Sequence, residues 1–205
     1  MKKTEIFALS SLKTEELSYI AKALLNGASA VIPTDTVYGL VVCGKPGFLR
    51  GLNEVKKNPP EKPAQILCSA EQALLLSEDC PGLKAAFKFW PGALTAILPA
   101  SCAGKKLSGL DTIGLRVPGG ALTAELFKLT NCPLYASSAN MHSLPTLEKE
   151  EEVLSVFEGK ADIIIKGGFL KAGPSSVIDF TCCPPKMLRR GALKDEELEI
   201  LLSKS

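Results

Sequence analysis

The chain has 205 residues, 46% hydrophobic and 22% charged, which suits one soluble globular domain and excludes a disordered chain, a coiled coil or a collagen-like repeat. A net charge of +2, from 24 basic and 22 acidic side chains, excludes a strongly basic nucleic-acid coat but leaves room for a local basic groove. At this length folding buries roughly 70% of the unfolded surface, so no disulfide or metal staple is required.

The opening MKKTEIFALSSLKTEELSYI imitates a signal peptide for two lysines only; its apolar stretch is short and is broken by Lys13, Glu15 and Glu16. No run of about 18 apolar residues exists to span a membrane. The expectation is a cytoplasmic protein without membrane contact. A first helix starts near Thr14 as N-cap, with Glu15 and Glu16 in its first turn and a stop at Asn26-Gly27. Leu17, Ile20, Ala21, Leu24 and Leu25 form its apolar stripe. A buried strand over 28–33 and a second apolar run over 37–43 follow. A helix over 48–57 must break at Asn58-Pro59-Pro60. Strands are expected over 64–68, 94–99, 113–117, 133–136, 162–165, 176–180 and 187–189. Helices are expected over 71–76, 83–89, 121–129, 148–157 and 194–202. This interleaving without linker or repeat predicts one α/β domain on a large twisted sheet; the pattern does not give the strand order.

Seven cysteines with no C-x-x-C oppose a zinc ribbon or thioredoxin-like site and suit buried reduced thiols. The single histidine, His142, excludes a multi-histidine metal site. No P-loop, G-x-G-x-x-G or G-x-S-x-G motif is present, so any nucleotide site must be assembled from dispersed residues.

Four polar islands interrupt the apolar runs. In 33–40 (PTDTVYGL), two threonines, Asp35 and Tyr38 follow a buried strand; they suit either a small polar ligand or a polar turn with Asp35 capping a backbone N–H. In 56–63 (KKNPPEKP), three lysines among prolines suit a polyphosphate or a solvated loop. Arg116, inside the apolar strand of 111–118 (DTIGLRVP), must meet an anion: a ligand carboxylate held bidentately, or a core Asp or Glu. Ser138 and Asn140 of SSAN lie at a strand end, where ligands gather in open α/β sheets and where turn chemistry also occurs. The fourth island joins 173–179 (GPSSVID) to 188–191 (LRRG). With no nucleophile–base pair and no metal cluster, the inventory fits electrostatic catalysis on anionic substrates.

The ordered set PTDTVYGL, K-x-x-PP-x-KP, FWPGALT, DTIGLRVP, SSAN, PSSVIDF and LRRG resembles the YrdC-like threonylcarbamoyl-AMP synthase family over about residues 15–193 of a single domain 1–205. The resemblance implies a mixed, open, YrdC/RibB-like sheet flanked by helices around a concave positive cavity. It implies that L-threonine, bicarbonate and ATP give threonylcarbamoyl-AMP and pyrophosphate, the first step of tRNA adenosine-37 modification. A threonylcarbamoyl transferase complex would be the partner, and direct RNA binding is possible within the family. Motif by motif, Thr36, Arg116, Ser138 and Ser175 fall on threonine-side positions. Lys56, Asn58, Lys62, Thr112, Asn140 and Arg189 fall on ATP-side positions, with Lys56, Lys62 and Arg116 as the catalytic set. Mg²⁺ is implied on the phosphates, with no metal ligated by the protein. Asn58 stands where the family has arginine and lacks its charge and fork, which implies weaker triphosphate binding. His142 stands where the family has a hydroxyl. A paralogue that keeps the cavity but binds RNA or another small substrate is the alternative.

Overall fold

The computed structural model describes residues 3–141 and 145–203. Among the described residues ten strands form one mixed sheet: β1 (Glu5–Ala8), β2 (Ala30–Ile32), β3 (Gly39–Cys43), β4 (Gln65–Leu67), β5 (Leu94–Pro99), β6 (Thr112–Arg116), β7 (Leu134–Ser138), β8 (Ile163–Lys166), β9 (Ser176–Asp179) and β10 (Lys186–Arg189). Their order is β1-β8-β2-β3-β7-β4-β6-β5-β9-β10. The pairs β1–β8, β8–β2, β4–β6 and β5–β9 are parallel; the others are antiparallel. The α-helices among the described residues are α1 (Thr14–Leu25), α2 (Phe48–Lys56), α3 (Ala70–Leu76), α4 (Pro81–Phe87), α5 (Cys102–Ser108), α6 (Ala121–Thr130), α7 (Glu150–Phe157) and α8 (Asp195–Leu202). Among the described residues no helix is long and apolar enough to cross a membrane.

Strand alternation divides the interior into two cores. Val31, Leu40, Val42, Ile66, Leu115, Tyr135 and Ile164 point to one side, where α2, α3, α4, α7 and α8 bury them. Ala30, Ile32, Val41, Leu67, Leu134, Ala136, Ile163 and Ile165 point to the other, against Ile20 and Leu24 of α1 and Leu122, Leu126 and Phe127 of α6. The second core is the smaller: α1 and α6 cover only one end of that face, and among the described residues no helix covers the stretch around β4, β6, β5 and β9.

Most expected elements occur, with shifted ends. The first helix begins at Thr14 itself, and Lys13 takes the cap position, its backbone N–H held by Glu16 Oε2 at 2.9 Å. Strand β1 and helix α5 were not expected. β1 is a half-exposed edge of four residues, and α5 carries two lysines and a glycine, so neither shows an apolar period. The cysteines divide: Cys43, Cys68 and Cys132 are buried, Cys80 is intermediate, and Cys102, Cys182 and Cys183 are exposed, so the expectation of buried thiols holds only for Cys43 in β3 and for Cys68 and Cys132 next to β4 and β7. His142 lies outside the described residues.

The role of α1 is testable. Leu24 is fully buried against the sheet, and Leu24→Ala should cost about 2–5 kcal/mol of stability in urea unfolding. Leu75→Ala, at a leucine 68% exposed, should change stability by no more than about 0.5 kcal/mol.

Candidate functional site

The uncovered stretch of sheet floors a cavity of about 360 Å³. Cross-strand pairing explains what faces it. Gly39 sits beside Ser138, Gln65 beside Ala136, Leu67 beside Arg116, Gly114 beside Ile97, and Thr95 beside Val177. All ten of these residues line the cavity. A Cβ added at Gly114 would meet no atom within 4 Å, so this glycine leaves the floor open.

Arg116 is 2% exposed. Its Nε donates to Gly92 O at 3.0 Å, Nη1 to Thr36 Oγ1 at 2.7 Å and Nη2 to Asp35 Oδ1 at 2.6 Å. A guanidinium has five N–H donors, so two are left without a partner among the described residues, on a side chain that lines the cavity. Burial lowers its pKa, opposed by Asp35 and reinforced by Arg189; a guanidinium nonetheless stays charged. The structure thus shows the pairing of Arg116 with an internal carboxylate, that of Asp35, and places the same guanidinium in the cavity lining.

The first island is organised by Thr34, not Asp35. Thr34 Oγ1 donates to Val37 O at 2.6 Å and accepts from the N–H groups of Thr36 and Val37 at 3.2 and 3.3 Å. This turn aims Asp35 and Thr36 at Arg116. Thr36 is 1% exposed and does not itself line the cavity, whereas Thr34 does. The FWPGALT motif supplies the other half of the cradle: Trp90 Nε1 donates to Leu94 O at 2.7 Å, which closes the turn that presents Gly92 O.

Lys56 is buried behind the cavity wall. Its ammonium donates to Ser137 Oγ at 2.8 Å, Ser138 O at 2.6 Å and Asn140 Oδ1 at 3.0 Å. Ser138 Oγ also donates to Asn140 Oδ1, at 2.7 Å. Lys56 thus fixes the end of β7, and Ser137 and Ser138 line the cavity in front of it. Burial, and then repulsion from Lys62, lower its pKa to about 8. Nearby, Asn53 is 1% exposed and donates to Pro60 O at 2.8 Å and Lys62 O at 2.9 Å. It accepts from Asn58 Nδ2 at 3.3 Å, and Lys62 Nζ donates to Asn58 Oδ1 at 3.3 Å. Asn58, Lys62 and Asn140 do not line the cavity, whereas Thr112 does.

On the far wall Arg189 donates from Nε and Nη2 to Ser175 O at 3.1 and 2.9 Å, and from Nη2 to Ser175 Oγ at 3.2 Å. Burial lowers the Arg189 pKa. Ser175 Oγ lies 2.8 Å from Thr95 Oγ1, which donates to Gln65 Oε1 at 3.1 Å. Gly191 holds this wall together: its added Cβ would fall 2.3 Å from Pro174 O, and its N–H donates to Ser176 Oγ at 3.0 Å.

Arg116, Ser138, Ser175, Thr112 and Arg189 are thus brought to one cavity. Thr34, one of the two threonines of the first island, lines the wall, whereas sequence reasoning did not single out Gln65, Thr95 and Ser137 in the wall or Asn53 behind it. Thr95 in FWPGALT and Ser137 in SSAN carried a motif signal; no local signal marks Gln65 or Asn53. Among the described residues no three His, Cys, Asp or Glu side chains gather where a metal ion could sit.

The family model Sua5_yciO_yrdC, described as telomere recombination, matches residues 22–191. Threonylcarbamoyl-AMP synthase of Pyrococcus abyssi is 36% identical over 181 residues, covering 85% of this chain and 53% of that protein. The Bacillus subtilis protein of the same name is 28% identical over 201 residues, covering 94% of this chain and 58% of that one. The crystal structure of P. abyssi Sua5 complexed with L-threonine is similar at a TM-score of 0.89 and 32% identity, over 98% of this chain and 62% of that one. The chain spans about half the length of the curated relatives it matches.

The lysine behind the wall gives a pH signature. Between its folded pKa of about 8 and the ordinary 10.5, the unfolded chain binds more protons at Lys56 than the folded one. Stability of the wild type relative to Lys56→Met should therefore rise across that window. Urea unfolding of both proteins at pH 7.5, 9 and 10.5, values on the order of the window's limits, reads the difference.

Proposed function

Because the chain belongs to the Sua5_yciO_yrdC family, we propose that it is a nucleotidyltransferase making threonylcarbamoyl-AMP and pyrophosphate from L-threonine, bicarbonate and ATP. The observation that carries this reading is Arg116: a buried, oriented guanidinium with two uncommitted N–H donors beside a cavity of amino-acid size. The threonine carboxylate would take those donors, and Ser138 and Ser175 would meet its polar atoms. Thr36 would act through Arg116, which its hydroxyl orients.

The threonine amine attacks the carbon of bicarbonate, and water is lost as the carbamate forms. A carbamate oxygen then attacks the α-phosphorus of ATP, and pyrophosphate leaves. Both steps bring anions together, and the protein's part is to position them and offset their repulsion. Arg189 and Thr112 in the wall, with Lys62 on the adjoining loop, would face the nucleotide. Mg²⁺ would arrive on the phosphates. Lys56 and Asn140 would serve the nucleotide by holding the end of β7, and Asn58 by holding Lys62. The product would be consumed by a threonylcarbamoyl transferase complex acting on adenosine 37 of tRNA.

Mass spectrometry of the protein incubated with all three substrates and Mg²⁺, omitting each in turn, tests the reading. Threonylcarbamoyl-AMP should appear only in the complete mixture; its absence there would exclude the reaction. Arg116→Ala should reduce threonine-dependent product formation by about 100-fold or more. Undiminished turnover in that variant would place the carboxylate elsewhere.

A further inference from the structure

Gln65 does not belong to any of the seven motifs, yet its side chain is built into the middle of the cavity floor. It stands on β4, and its Oε1 accepts from Thr95 Oγ1 on β5, although β6 lies between those two strands. The crossing is possible because the β6 residue with room above it is Gly114. Thr95, 3% exposed, is in turn fixed by Ser175 Oγ at 2.8 Å. The Gln65 carboxamide is therefore anchored by its oxygen. Its Nε2 has no hydrogen-bond partner among the described residues. Two N–H donors are left on a group that lines the cavity. Along the same face, Arg116 lies beside Leu67, two residues beyond Gln65, and Arg189 lies beside Val177, itself beside Thr95.

We propose that Gln65 Nε2, held by Thr95 above the open backbone of Gly114, is the binding site for a small trigonal oxyanion, the bicarbonate that becomes the carbamate. This rests on the synthase reading and adds the position of its third substrate. A planar CO₃ group accepts in-plane N–H donors, and the floor between the two arginines is where the carbon must sit to join an amine on one side to a phosphate on the other. The absence of a side chain at Gly114 leaves the space this group would fill.

Gln65→Glu is the decisive variant. A carboxylate still accepts from Thr95, so the structural bond is retained, but the donors are lost and a negative charge faces the anion. Bicarbonate KM, at saturating threonine and ATP, should rise by at least about tenfold, the effect of one hydrogen bond to a charged group. Threonine affinity measured by calorimetry without bicarbonate should stay within about twofold, which also reports that the variant is folded. Gln65→Leu should raise bicarbonate KM as well, by less than the glutamate. Unchanged bicarbonate KM in Gln65→Glu, or an equal loss of threonine affinity, would overturn the proposal. A second readout needs no turnover. Line broadening of ¹³C-labelled bicarbonate by the wild type should disappear in Gln65→Glu, and equal broadening would overturn the site. A wild type that broadens bicarbonate but makes no adenylate would reject the synthase reading and keep the oxyanion site.

Discussion

A guanidinium that is 2% exposed must find acceptors inside the protein, and the site is arranged around how Arg116 finds them. Its strand alone offers none that reach the side chain. A turn after β2 brings Asp35 and Thr36, and a turn before β5 brings Gly92 O. Gly92 O is near because β5 pairs with β6, whereas the turn after β2 reaches Arg116 from across β3, β7 and β4. The ion pair with Asp35 offsets the charge without consuming every donor. A buried charge that is paired yet not saturated can remain folded without ligand and still recognise one.

The other cations follow a different rule. Lys56 is also buried, but the three acceptors given to it belong to the end of β7. Its charge is a clamp on backbone and serine positions. Arg189 likewise reaches Ser175 through its carbonyl and hydroxyl. A positive cavity is thus made from side chains whose first task is to hold its walls. Charged groups already fixed by the fold need little reorganisation when an anion arrives, which is the source of their catalytic value.

How much of this was legible in the sequence depends on the range over which each signal acts. Short continuous apolar runs revealed β3, β5 and β8, and apolar spacing along the chain revealed α1 and α6, because burial imprints on neighbouring residues. The edge strand β1 and the lysine-bearing α5 bury too little to leave that imprint. Arg116 announced itself as a charge in an apolar strand, and Ser138 and Ser175 as hydroxyls at strand ends. Asn53 gave no such sign. A polar residue on a helix becomes a loop anchor only when Pro60 O and Lys62 O fold back onto it, and that is a tertiary event. Gln65 was hidden for the same reason: its partner is two strands away, and strand order is not written in local pattern.

The two faces of the sheet are unequally covered. On one, helices close the core; on the other, α1 and α6 stop short and leave a hollow over β4, β6, β5 and β9. In a three-layer α/β sandwich another helix would lie there. Whatever occupies the hollow takes the place of that missing layer, so occupancy and folding share one free-energy cycle: a ligand bound only by the folded chain raises the work of unfolding it. The least protected stretch of the architecture is then also the one whose stability reports how much substrate is present.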